Sequence, residues 1–243
     1  MARFFLAASN IFGGIAYLTA SDLEHIKVLR IRRGEIFTVC DGEGTDYTCR
    51  LKEDGDGLCA EVLDKLPSSG EPTASCAVYT AFSKGDKAET VIQKCVEIGA
   101  SEIVLFPSDR CVSRPDGTSL LRKLGRWQKI AEESAKQSGR GKIPRVSAAD
   151  SFETAVKSAA KADLPLFFYE EERRLGLKSA MESQPEYKTI SILTGPEGGF
   201  TAEEAEFAQK CGMLSVSLGP RILRCETAPV CGLAAVMLFT GNM

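Results

Sequence analysis

Histidine is almost missing from this chain: His25 is the one histidine in 243 residues. Nine cysteines stand at 40, 49, 59, 76, 95, 111, 211, 225 and 231, yet no two are spaced C-x-x-C. A structural zinc site needs four closely paired Cys or His ligands, so none is expected. An odd cysteine count in a chain of this length also argues against a disulfide framework. The nine read as reduced thiols of a cytoplasmic protein, several of them packed as small core residues. Long apolar runs are missing too. The most apolar stretch, Ala228–Phe239, is charge-free but 12 residues long, short of the roughly 20 that span a bilayer. The opening MARFFLAASN lacks the basic segment and apolar run of a signal peptide. The expectation is a cytoplasmic protein with no membrane partner. There is no surplus of positive charge either: 30 Lys and Arg face 33 Asp and Glu, a net of -3. That excludes a uniformly basic coat for nucleic acid but leaves room for a local basic face.

Charge is unevenly placed. Residues 1–72 and 146–243 each carry a net of -4, whereas residues 73–145 carry +5. The middle third is therefore the expected contact for a polyanion. It includes a helical stretch at 118–138 whose Leu120, Leu124, Trp127, Ala131 and Ala135 form an apolar stripe, with Arg122, Arg126 and Lys129 on another face. The stripe, Trp127 included, reads as core.

Residues 1–66 read as short strands around one helix, a small barrel. Glu35–Cys40, Thr45–Leu51 and Leu58–Leu63 are rich in β-branched, aromatic and Cys residues and are separated by DGEG and EDGDG turns. The helix is expected to start at a Ser21 cap with Glu24 completing the box. Gly55-Asp-Gly57-Leu-Cys-Ala60 fits a loose dinucleotide pattern, but no apolar strand precedes it and no helix follows, so it reads as a hairpin turn. PSSGEPT at Pro67–Thr73 is the expected linker.

Beyond it, apolar strands at 75–82, 102–106, 164–169, 189–193 and 214–218 alternate with helical stretches. The expected fold class is α/β, a largely parallel sheet covered on both faces. Two loops follow strands there. Thr194-Gly-Pro-Glu-Gly-Gly-Phe200 leads into a helix opened by a Thr201–Glu204 capping box. Its glycines suit close backbone approach to a ligand at the carboxyl end of a parallel strand. No G-K-[ST] is present, so a phosphate-binding P-loop is not supported. Leu218-Gly-Pro-Arg-Ile-Leu-Arg-Cys-Glu-Thr-Ala228 is the second loop, with Thr227 expected to cap the last helix. Together the loops would form one pocket, in which Arg224 is a fixed cation suited to a developing anion or a phosphate. The competing reading is two surface arginines paired with Glu226.

These segments resemble the RsmE-type ribosomal RNA uridine-N3 methyltransferases of the SPOUT class. The resemblance runs along nearly the whole chain. It takes in Arg3-Phe4-Phe5, His25-Ile-Lys-Val-Leu-Arg30, Lys84-Gly-Asp-Lys87, Glu97-Ile-Gly99, Pro107-Ser-Asp-Arg110, Trp127 and Ala131–Arg140 as well as both loops. Cys225 departs from it, standing where a threonine is expected.

The resemblance implies a PUA-like RNA-binding barrel at residues 1–70 and a SPOUT domain with a C-terminal trefoil knot at 73–243. It implies a homodimer that uses S-adenosylmethionine to methylate N3 of one uridine in 16S rRNA of the small ribosomal subunit. Arg224 and Glu226 are the implied catalytic residues, the latter as general base. Leu193, Thr194, Gly195, Glu197, Gly198, Gly199, Leu218, Gly219, Ile222 and Leu223 are the implied cofactor contacts. Arg3, Arg30, Lys84, Arg110, Arg126, Gln137 and Arg140 are the implied RNA contacts. No metal is expected. A non-catalytic RNA-binding protein, and a methyltransferase acting on a ribose 2′-hydroxyl or another RNA position, are the alternatives left open.

Overall fold

The computed structural model describes residues 2–54, 57–183 and 187–243. The chain divides into two units. One takes the residues up to Glu71 together with Ala135–Ile143; the other takes Pro72–Ser134 with Pro144–Met243. Residues 135–143 thus group with the first unit and not with the residues that flank them in the sequence.

The first unit contains β1 (Arg3–Phe5), β2 (Ile11–Phe12), β3 (Ile15–Ala16), α1 (Ala20–Val28), β4 (Ile36–Cys40), β5 (Thr45–Asp54) and β6 (Gly57–Pro67). The strands form one sheet in the order β1-β4-β5-β6-β3-β2, with only the β1–β4 pair parallel. Phe4, Ile26, Phe37, Val39 and Leu51 fill its core, and Phe4 meets both Phe37 and His25 edge-on. His25 is thus a packing residue. The Gly55–Asp56 part of the turn in the dinucleotide-like motif lies outside the described residues.

Helix α1 starts one turn signal earlier than expected. The Thr19 side chain accepts from the Asp22 N–H and Asp22 accepts from the Thr19 N–H, so this pair is the capping box rather than Ser21 and Glu24. The helix ends in a Schellman arrangement: the Arg30 N–H donates to Lys27 O and the Ile31 N–H to Ile26 O. Arg30 occupies the left-handed position at φ 56°, the one non-glycine with positive φ among the described residues. Such a conformation costs an arginine roughly 1–2 kcal/mol. Arg30→Gly is therefore expected to stabilise the protein by about 1 kcal/mol in urea unfolding. An unchanged or lowered midpoint would show that the arginine repays its strain in the free protein.

The Pro67–Thr73 stretch is not a loose tether at its start. The Ser68 N–H donates to Gly44 O, and Gly70 lies so close to Gly139 that a Cβ would come within 2.4 Å of its carbonyl. Glu71 accepts from Arg140 Nε at 2.9 Å and from the Gly141 and Lys142 N–H groups.

The second unit contains β7 (Ser75–Ala81), α2 (Lys87–Ile98), β8 (Glu102–Phe106), β9 (Arg145–Ala148), α4 (Phe152–Ala159), β10 (Leu164–Phe168), α5 (Leu177–Glu182), β11 (Thr189–Thr194), α6 (Ala202–Lys210), β12 (Leu214–Val216) and α7 (Thr227–Phe239); α3 (Gly117–Ser138), which precedes β9, belongs to it up to Ser134 and to the first unit from Ala135. All six strands are parallel, in the order β12-β10-β11-β7-β8-β9. Consecutive residues such as Ile192 and Leu193 are both fully buried, so helices cover both faces. Helix α7 packs on α2, β7 and β11, while α4 packs on α6, β7, β8 and β11. Trp127 is buried and stacks on Phe82, as its place in the apolar stripe requires.

The Thr201–Glu204 capping box forms as read, and the Glu204 carboxylate also accepts from the Asp109 N–H. Thr227 does not cap α7: it is the first helical residue, and the Thr227 and Ala228 N–H groups both turn back to Arg224 O. All nine cysteines are free thiols. Among the described residues no helix is long and apolar enough to cross a membrane, and no cluster of potential metal ligands occurs.

Candidate functional site

Because β10, β11 and β12 run parallel, their following loops emerge on one side of the sheet. These loops line a cavity of about 680 Å³, within the size range of small-molecule sites. The end of β11 supplies Thr194 and the loop after it Gly195, Glu197, Gly198 and Gly199; the loop after β12 supplies Leu218, Gly219, Ile222, Leu223, Arg224 and Glu226. Both glycine-bearing loops picked out in the sequence therefore share one pocket. Leu193 does not reach it. Its side chain is fully buried in the core with Phe167 and Phe200, because the alternation of β11 turns it to the α4 and α6 face.

The glycines are needed for different reasons. Gly199 has φ 68°, and a Cβ there would overlap Glu170 Oε1, the acceptor for the Phe200 N–H at 2.8 Å. Gly198 has no positive φ; it must be small because a Cβ would come within 2.9 Å of Arg110 Cβ. Arg110 Nη1 donates to Gly198 O at 3.1 Å, so this arginine lies along the pocket wall. A third wall, Tyr169, Glu170, Glu171 and Arg173 after β10, was missed in the sequence. The signal available was its position: the carboxyl end of an apolar parallel strand, followed by an acidic run. Gly199→Val is expected to abolish small-molecule binding in this pocket by calorimetry with the fold retained. Unchanged affinity would show that the loop is only a connector.

Among the charged side chains of the pocket, Lys87, Glu197 and Glu226 form ion pairs, whereas Arg221 and Arg224 have neither a side-chain hydrogen bond nor an ion pair among the described residues. Lys87 Nζ lies 3.0 Å from Glu197 Oε1 and 3.7 Å from Glu226 Oε2. Burial would raise the Glu226 carboxyl, but its own N–H, the Cys225 thiol, Lys87 and Arg224 together hold it below the usual carboxylate range. Burial and the neighbouring Glu226 push the Cys225 thiol up to about 12, so it stays protonated and donates to Glu226 Oε2 at 3.2 Å. The Arg224 side chain is exposed at the cavity and makes no hydrogen bond or ion pair among the described residues. No ion pair joins Arg224 to Glu226 among the described residues; the arginine acts on that carboxylate only as a nearby charge.

The other sequence-assigned arginines are not equivalent. Arg140 is 3% exposed and spends its charge on Glu71 inside the first unit, so no phosphate can reach it. Arg3 makes a two-pronged pair with Asp46 at 2.6 Å and is largely buried. Arg126 is exposed and bound to Glu89 at 2.7 Å. Lys84, Arg30 and Gln137 are exposed, and the Lys84 N–H donates to Glu197.

Comparison with known proteins follows the same two-part division. A family model described as an RNA methyltransferase domain matches residues 70–237, and one described as an RNA methyltransferase PUA domain matches residues 18–63. The chain is 33% identical over 225 residues to the ribosomal RNA small subunit methyltransferase E of Bacillus subtilis (strain 168), covering 90% of this chain and 88% of that protein. It superimposes with a TM-score of 0.83 and 31% identity on a ribosomal RNA small subunit methyltransferase E from Neisseria gonorrhoeae bound to S-adenosyl methionine, covering 98% of this chain and 97% of that one. A methyltransferase structure from Legionella pneumophila in complex with the cofactor SAM gives 0.84 and 27% over the same shares.

Proposed function

The chain belongs to the ribosomal RNA small subunit methyltransferase E family, and we propose that it moves the methyl group of S-adenosylmethionine to N3 of one uridine in 16S rRNA. The observation that carries this reading is the single cavity made by the two glycine-bearing loops, with Arg224 unpaired at its edge. The cavity fits the cofactor. Its volume suits a nucleoside-sized ligand, and the Ile222 and Leu223 N–H groups have no partner among the described residues. Thr194, Gly195, Glu197, Gly198, Gly199, Leu218, Gly219, Ile222 and Leu223 are the residues that would hold it. When bound, the cofactor supplies an electrophilic methyl group on a sulfonium.

This chain's own residues do the rest. The uridine N3 proton must leave, the N3 lone pair forms the new C–N bond, and the methyl–sulfur bond breaks to leave a neutral thioether. Removing that proton spreads negative charge over the two flanking carbonyl oxygens, and in this scheme Arg224 stabilises it. Glu226 accepts the proton in this scheme. Its depressed titration keeps it ionised at neutral pH but makes it a weak base, so the larger share of rate enhancement falls to Arg224 and to positioning. Lys84, Arg110, Arg126, Gln137 and Arg30 remain the proposed RNA contacts.

On this reading the enzyme works in the cytoplasm as a homodimer. The dimer is supported by α7, whose inner residues Leu233, Val236 and Met237 are buried while Cys231, Leu238 and Phe239 on the other side are exposed. Gly232 is an inner residue too: a Cβ there would overlap the Phe168 ring. The trefoil knot belongs to the same proposal. It is supported by the path of the chain from edge strand β12 back to α7 on β7 and β11. Methyl-labelled S-adenosylmethionine incubated with the protein and small subunits should label 16S rRNA. Labelled cofactor that binds while no RNA takes up label would favour a non-catalytic role.

A further inference from the structure

We propose that Lys87 is a positioning residue of the methyl-transfer site, locking the loop after β11 to the loop after β12 through Glu197 and Glu226. The proposal rests on the functional reading above only for the identity of the ligand. Its basis is the sheet order. Strand β10 lies between β11 and β12, so the two loops that make the cavity follow strands that are not neighbours. No ladder hydrogen bond can set one loop against the other. Among the described residues no hydrogen bond or ion pair joins them directly either.

Lys87 closes that gap from outside the two loops. It is the first residue of α2, the helix that follows β7 on the far side of β11. Its ammonium lies 3.0 Å from Glu197 Oε1 in one loop, and 3.7 Å from Glu226 Oε2 and 3.8 Å from Cys225 Sγ in the other. Glu197 is fixed to the same helix start by the Lys84 N–H at 3.0 Å. Glu226 is fixed by the Cys225 thiol as well. The groups facing Glu226 are thus Lys87 from α2, with Cys225 and Arg224 from its own loop. Two carboxylates held on one ammonium would repel each other without it. Losing the cation would therefore part the loops as well as free them.

The test uses Lys87→Met, which keeps chain length and removes charge, and Lys87→Arg, which keeps charge. Hydrogen–deuterium exchange is read at amides 195–199 and 218–226 in the free protein, and S-adenosylmethionine affinity is read by calorimetry. The methionine variant should exchange faster in both loops together and bind cofactor at least ~10-fold more weakly, and arginine should restore most of both. Lys87 is one-third exposed, so global urea unfolding should change little. Unaltered exchange in both loops, or a loss that arginine does not restore, overturns the proposal. A wild-type protein that binds no cofactor, with exchange still raised in the methionine variant, overturns the functional reading and leaves the positioning role standing.

Discussion

Arg224→Met should lower the single-turnover rate of methyl transfer on the order of 100-fold or more, with cofactor affinity close to wild type. The arginine lines the cavity, yet its guanidinium has no hydrogen bond or ion pair among the described residues. A guanidinium left without an ion pair at the cavity is available for charge that exists only during reaction. The uridine imide gains that charge when N3 loses its proton, so the missing interaction should appear in the rate and not in ground-state binding. Arg224→Lys should recover only part of the loss, since an ammonium lacks the planar fork that spans a carbonyl oxygen from two donors. Rapid-quench kinetics at saturating cofactor and RNA would measure this. A methionine variant with an undiminished rate would remove Arg224 from the chemistry.

Leu238→Asp should convert the protein to monomer and abolish most of its activity while the chain stays folded. Helix α7 contains no charged residue from Thr227 to Phe239. A helix apolar all round must be covered all round. Within its own chain it buries one side, while Leu238 and Phe239 stay 64% and 42% exposed. An aspartate at 238 costs little in an isolated monomer and much in a dimer contact. Activity should fall with the dimer because the same helix begins beside Glu226 and Ala228 at the cavity. Val236, which the bare sequence offers equally well as an outward residue, is fully buried in its own chain. A charge there would test folding instead. Light scattering at micromolar concentration decides: a wild-type monomer would end the dimer account.

Val236 illustrates where sequence reasoning stops. An all-apolar helix carries no polar face, so periodicity cannot say which side meets its own sheet. Strands such as Glu102–Phe106 and Leu164–Phe168 were legible because continuous burial writes a continuous apolar run. The edge strand Arg145–Ala148 was not, being four residues of mixed polarity. The two glycine-bearing loops were legible because glycine and proline mark strand ends. The Tyr169–Arg173 wall has no glycine or proline to mark it as a loop. Arg140 read as a free basic residue because its partner, Glu71, lies far away in sequence. Lys87 was invisible as a site residue for the same reason: its partners arrive from two loops more than a hundred residues downstream. At α1, Thr19–Asp22 and Ser21–Glu24 both fit a capping box, and the earlier pair forms it.

The most direct test of methylation at uridine N3 is nucleoside mass spectrometry of 16S rRNA from cells with and without this protein. N3-methyluridine should be present with the protein, absent without it, and restored by the wild-type chain but not by the Arg224→Met variant. An N3-methyluridine signal that persists in its absence would contradict the account.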